Sequence, residues 1–208
     1  MDTIQTQQFI ENSRHALDHL FKAFDEYNKV LITAQKEVEE IDCSKKMLSD
    51  LFMYRDQWSP NANHHYAQYV QRMKQNLKQN NAEEDFSINL NVALTNIDAI
   101  VESMSSLAGI VLQIAKQTLS LRYTGKPTIP GARLIGQQSI VEIIWDGRNH
   151  SLHWDEGEPR VREKAMLNNL SKNLDITIII ESNNCLSILG VLGWTSTDNV
   201  IKDLNALI

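Results

Sequence analysis

The chain has 208 residues, 42% of them hydrophobic and 22% charged, an ordinary globular composition with room for one sizeable core or two small ones. A formal net charge of −6 excludes coating of nucleic acid by bulk charge but leaves a local basic site open, and two cysteines, Cys43 and Cys185, are too few for a disulfide framework or a four-cysteine zinc site. The N-terminal MDTIQTQQFIENSRH has no signal-peptide pattern and the most apolar run, Leu107 to Ala115, is too short for a membrane span, so the expectation is a soluble, cytoplasmic protein.

No glycine occurs before Gly109, and Pro60 is the only proline before Pro127. Relative to alanine, glycine costs a helix about 1 kcal/mol and proline about 3 kcal/mol, so a stretch avoiding both reads as helix. Ile10, Leu17, Leu20, Phe24, Tyr27, Leu31, Ala34, Val38 and Ile41 form one stripe of a long first helix. Met47 to Phe52 begins a shorter helix that ends before Ser59-Pro60, and Tyr66, Val70, Met73 and Leu77 mark a third. Lys78 to Asp85 reads as a connection. Leu90, Leu94, Ile97, Val101, Met104, Ala108, Val111 and Ala115 then follow near-heptad spacing. Phe86, Ile100, Leu107, Ile110 and Ile114 widen that stripe, which predicts a helix buried on two sides.

Arg122 to Arg133 holds an X-Gly turn and two prolines and reads as a loop between a long-helix region, 1–121, and a C-terminal helical region, 134–208, which is expected to form one compact domain with 86–121. Further helices are expected over Leu134 to Trp145, from Pro159 to about Leu170, from Ser182-Asn183-Asn184 to Gly190 or Gly193, and from Thr197-Asp198 to the end. Ile176 to Ile180 is either a short strand or a buried helical turn. The fold class is all-α: a helical bundle with long N-terminal helices.

Unusual residue types converge in IVEIIWDGRNHSLHWDEG, residues 140–157. One reading is a metal site, with His150 and His153 three apart and Asp146, Asp155 and Glu156 completing a nitrogen–oxygen set; the absence of HExxH spacing argues against it. The other is metal-free acid–base chemistry on a phosphodiester. Histidine moves protons near neutral pH, and a guanidinium suits phosphate oxygens. Arg148, Asn149 and His153 supply those groups, with His150 as an accessory candidate. On a helix, Asn149 and His153 lie about 40° apart and Arg148 about 140° from His153, so two copies of the segment across a twofold axis would assemble the site more readily than one.

Arg148-Asn149-His150-Ser151-Leu152-His153 is similar to the Arg-x4–6-His motif of the HEPN superfamily. The resemblance implies a small α-helical bundle and a metal-independent RNase, with two motifs of a homodimer forming one composite site. Arg148 and His153 would match the family's catalytic pair, and Asn149 its polar second position. It also implies an RNA substrate, no cofactor, and a toxin or phage-defence setting in which an antitoxin or other protein is a candidate partner. Gly147, just before the arginine, departs from the pattern as a potential helix breaker. Arg14 to His19 fits the same spacing but reads as the solvated face of the first helix. Lys116, Arg122, Lys126 and Arg133 lie in a stretch free of acids and are candidates for the RNA backbone, with Tyr123 as a base platform. The alternative is a non-catalytic helical module that binds RNA or protein and keeps the motif for structure.

Overall fold

A computed structural model describes residues 3–40, 84–155 and 160–208, and it is an all-α helical bundle. Among the described residues the order is α1 (Thr3–Glu40), α2 (Glu84–Arg122), β1 (Leu134–Ile135), β2 (Gln138–Ser139), α3 (Ile140–His153), α4 (Val161–Leu174), α5 (Cys185–Leu192) and α6 (Thr197–Ala206). The helices expected over 47–58 and 61–77 lie outside the described residues, as do Cys43, Glu156 and Pro159. Glu84 and Asp85, read from sequence as connection, belong to α2.

The apolar stripe of α1 is realised at Ile10, Leu17, Phe24, Leu31, Ala34 and Val38, all buried. Leu17, Phe24, Leu31 and Val38 repeat every seven residues, which keeps them on one side of the helix. Asn28 rather than Tyr27 occupies the buried position of the intervening turn, and Thr6 extends the row toward the N-terminus. In α2 the expected residues Leu94, Ile97, Met104, Ala108, Val111 and Ala115 are buried. Its second buried row is Leu112 and Leu119, whereas Ile110 is 48% exposed. Within α2, Asn91–Arg122 is long and apolar enough to cross a membrane by length and composition, and a third of its most apolar stretch is buried in the protein.

Packing divides the chain into two units. One joins α1 up to Ala23 with Ser105–Ile208, and the other comprises Phe24–Met104. The division therefore falls inside both long helices. The first unit holds Ile10 and Leu17 of α1, Val111, Leu112, Ala115 and Leu119 of α2, and the apolar faces of α3 to α6. The second holds Leu31, Ala34, Val38, Ala93, Leu94 and Ile97.

Within the first unit, α3 packs against both α4 and α5. It starts later than its apolar pattern suggests. Leu134 to Ser139 is a two-stranded antiparallel hairpin pairing Leu134 with Ser139 and Ile135 with Gln138, not the first turns of the helix. Gly136 turns it at φ +60°, a left-handed conformation that glycine tolerates. Ser139 then starts α3 with a reciprocal capping box to Glu142. Residues 176–180 form neither strand nor helix. This irregular segment is held by Ser171 Oγ donating to the Ile176 carbonyl (2.6 Å) and Asn184 Nδ2 donating to the Ile179 carbonyl (2.8 Å). Asn184 is the N-cap residue of α5, and Gly193 ends that helix at φ +69°. Trp194, 1% exposed, donates its indole N–H to Asp203 of α6. Arg14 and Gln7 of α1 bond Asp198 and Asn205 of the same helix, so Arg14 sits on the exposed side of α1 as its amphipathic reading requires.

Candidate functional site

The motif segment is the second half of α3, and α3 runs through Gly147 without a break. The glycine is there for space. A Cβ at this position would lie 2.9 Å from Cδ1 of the buried Ile188, so Gly147 lets α5 approach α3 closely. The potential breaker is a contact point, and helical geometry carries through to His153.

Consecutive residues then take different directions. His150 is fully buried. The two amide hydrogens of Asn184 go to the carbonyls of Ile179 and Ser182, which leaves His150 Nε2 to donate to the Ser182 carbonyl at 3.0 Å. Nδ1 is buried and has no hydrogen-bond partner among the described residues. Burial holds the imidazole below its ordinary pKa, against the opposing influence of the Ser182 carbonyl and Glu163. His150 is therefore a neutral core histidine that ties α3 to the loop before α5. This corrects the accessory proton-transfer role expected of it.

A pH dependence follows from that placement. The unfolded chain binds a proton at His150 near pH 6.5 whereas the folded chain resists it, so this contribution to stability is full above about pH 6.5 and is lost as the pH falls below. In urea titrations between pH 7.5 and pH 5, the wild type should lose stability faster than His150→Gln. The difference should reach at most about 1.4 kcal/mol per pH unit; equal slopes would refute this account.

Arg148 turns toward α2. Its Nε donates to Gln113 Oε1, and Nη1 donates to Ser151 Oγ at 2.8 Å. Ser151 Oγ in turn donates to the Arg148 carbonyl, a local brace across one turn. Asn149 Oδ1 accepts from Lys116 Nζ of α2 at 2.6 Å, and Lys116 also lies over the ring of Trp145 at 5.0 Å. Burial, and next the charge of Arg148, lower the Lys116 pKa, while Asp146 and Glu163 oppose them. His153, on the same face as Asn149, accepts at Nε2 from Arg160 Nη2 at 3.2 Å. A guanidinium only donates, so Nε2 is the acceptor in this contact. The structure thus sets Asn149 and His153 side by side along one face, with Arg148 directed away from His153 into the α2 seam.

The basic residues divide into two kinds. Lys126 pairs with Asp146 at 2.7 Å, and Arg133 pairs with Asp203 at 2.5 Å while also donating to the Leu192 carbonyl. Arg122 lies against the Tyr123 ring, and the Tyr123 hydroxyl donates to the Leu207 carbonyl. These contacts fasten the 122–133 loop to the bundle, so Lys126 and Arg133 are neutralised where they stand, and Tyr123 is half-buried with its hydroxyl engaged. Of the four cations singled out by sequence, Lys116 is the one bonded to the Arg148–His153 segment. Sequence reasoning missed Gln113 and Arg160. A polar Gln113 inside the apolar run 107–115 was a legible signal, whereas exposed Arg160 carried none.

Among the described residues, no group of three or more His, Cys, Asp or Glu side chains is placed to hold a metal ion. His150 is buried against the Ser182 carbonyl, and Asp146 is paired with Lys126. Comparison with protein-family models, with curated proteins and with solved structures returned no match to this chain.

Proposed function

We propose that this protein is a HEPN-like, metal-independent RNA endonuclease acting as a homodimer, with Arg148, Asn149 and His153 as its working residues. One observation carries the reading: Arg148, Lys116 and Arg160 are oriented by neutral acceptors, namely Gln113 and Ser151, Asn149, and His153. None of the three forms an ion pair with a carboxylate among the described residues. A neutral acceptor fixes a cation's position without cancelling its charge, which leaves it for an anion. By contrast, Arg14 and Arg133 are ion-paired, and Arg122 lies against the Tyr123 ring.

In this reaction the RNA 2′-hydroxyl loses its proton to a base and attacks phosphorus, and the bond to the 5′-oxygen breaks as an acid protonates it. The products are a 2′,3′-cyclic phosphate and a 5′-hydroxyl. His153, placed to accept at Nε2, suits the base, and His153 of the partner subunit supplies the acid. Arg148 stabilises the charge that develops on the phosphorane, and Asn149 orients the phosphate. A twofold arrangement answers the divergence of Arg148 and His153 within one protomer. Cytoplasmic RNA is the intended substrate, and a protein partner such as an antitoxin would restrain the activity.

The test is incubation of single-stranded RNA with purified protein in EDTA, with product ends identified and oligomeric state measured by light scattering. Cyclic-phosphate ends from a dimer are expected. Activity that stays with a monomer on dilution would overturn the composite site. Cleavage that requires added metal would overturn the mechanism. The inward bonding of Arg148 favours one other reading, a non-catalytic RNA-binding module, which would bind RNA without cutting it.

A further inference from the structure

We infer that Lys116 and Arg160, which the Arg-x4-His pattern does not include, complete a three-cation track with Arg148 that takes successive phosphates of a single RNA strand within one protomer. The inference rests on the proposed RNA-directed reading and adds to it the residues that grip the strand. Asn149 and His153 stand one helical turn apart on α3, about 6 Å along its axis. Each carries a cation brought from another element. Lys116 arrives from α2 onto Asn149, and Arg160, the residue preceding α4, arrives onto His153. Two positive groups are thereby seated on residues one turn apart along one face of the motif helix, and Arg148, bonded to Gln113 one turn before Lys116 on α2, adjoins the Lys116 end.

Several features suit this role. Lys116 is half-buried with its ammonium over Trp145, so its position is fixed before a ligand arrives. Arg160 is exposed and its acceptor is an imidazole nitrogen; a phosphate oxygen is a stronger acceptor for a guanidinium, so a bound strand draws Arg160 from His153 and uncovers Nε2. The neighbouring cations Arg162 and Lys164 of α4 are exposed and have no such acceptor among the described residues, and they serve as internal controls.

The experiment is fluorescence anisotropy of the full chain with a labelled single-stranded 2′-O-methyl RNA, which has no free 2′-hydroxyl and cannot be cut. Lys116→Met keeps the apolar stem on Trp145, and Arg160→Gln keeps a polar exposed side chain. Each should weaken binding at least tenfold and flatten the log–log salt dependence by about 0.7, the slope of one lost phosphate contact on a single strand. Arg162→Gln should change affinity less than twofold. Lys116→Arg and Arg160→Lys should recover most of the loss, which separates lost charge from damaged folding. If Lys116→Met and Arg160→Gln bind and cut RNA like the wild type, the track is wrong while the nuclease reading stands. If both variants lose binding but the wild type cuts no RNA, the track stands and the catalytic reading falls. If the wild type neither binds nor cuts RNA, both fall.

Discussion

Replacing His153 by alanine is expected to slow single-turnover cleavage of RNA in EDTA by 10²- to 10⁴-fold, the usual contribution of one positioned acid–base group. His153 is only partly buried and lies in the last turn of α3, so the folded state should tolerate the change, and thermal unfolding of the variant should match the wild type. RNA affinity should change little, because the imidazole is assigned to proton transfer and the strand is gripped by cations. Arg148→Ala should cut the rate by a similar 10²- to 10³-fold. Here lysine should not substitute, since a planar fork that reaches Gln113 and Ser151 while facing a phosphate cannot be copied by a single ammonium. A His153→Ala protein that cuts RNA at the wild-type rate would remove the acid–base assignment altogether.

Gly147→Val is expected to be the most damaging single change near the site, destabilising the protein by about 3 kcal/mol in urea titrations. The new Cβ would sit 2.9 Å from Ile188 Cδ1 and 3.4 Å from its Cγ2, and Ile188 is fully buried. Two further methyl groups would have to enter the same seam. Gly147→Ala is a finer probe, because two effects oppose each other. Alanine gains about 1 kcal/mol of helix propensity over glycine, and the crowding against Ile188 offsets it. Shortening the neighbour should separate the two. In an Ile188→Val background, which removes Cδ1, Gly147→Ala should become stabilising, and the pair should be non-additive by about 1 kcal/mol. Full additivity would mean that α3 and α5 are not in contact through these two residues.

The long helices were legible because they depend on what the sequence states directly: the absence of Gly and Pro, and a repeat that keeps Leu17, Phe24, Leu31 and Val38 on one side. The shared face of Asn149 and His153 was legible for the same reason, since helical geometry alone puts residues i and i+4 together. What escaped depended on partners distant in sequence. Nothing local distinguishes a catalytic His150 from a core one; the difference is the Ser182 carbonyl, 32 residues away. The same holds for Lys126 and Arg133, which look like free basic residues until Asp146 and Asp203 are brought to them. The hairpin before α3 was a different kind of miss. Ser139 and Glu142 spell a capping box in the sequence, but the apolar run around them suggested an earlier start. Gly147 was read by propensity, as a breaker, when its role is set by the tertiary contact with Ile188.

The second half of α3 puts a keystone and a tool into the same seven residues. Gly147 and His150 hold the wall together from inside, Arg148 braces a seam, and Asn149 and His153 face outward. Neighbouring substitutions in this stretch should therefore fail for unrelated reasons, one by loss of protein and the next by loss of chemistry. A screen that scores only survival or activity would merge them into one uniformly intolerant block. Read together with cellular abundance, the block should resolve into an alternating pattern, with scarce protein at Gly147 and His150 and abundant, inert protein at Asn149 and His153.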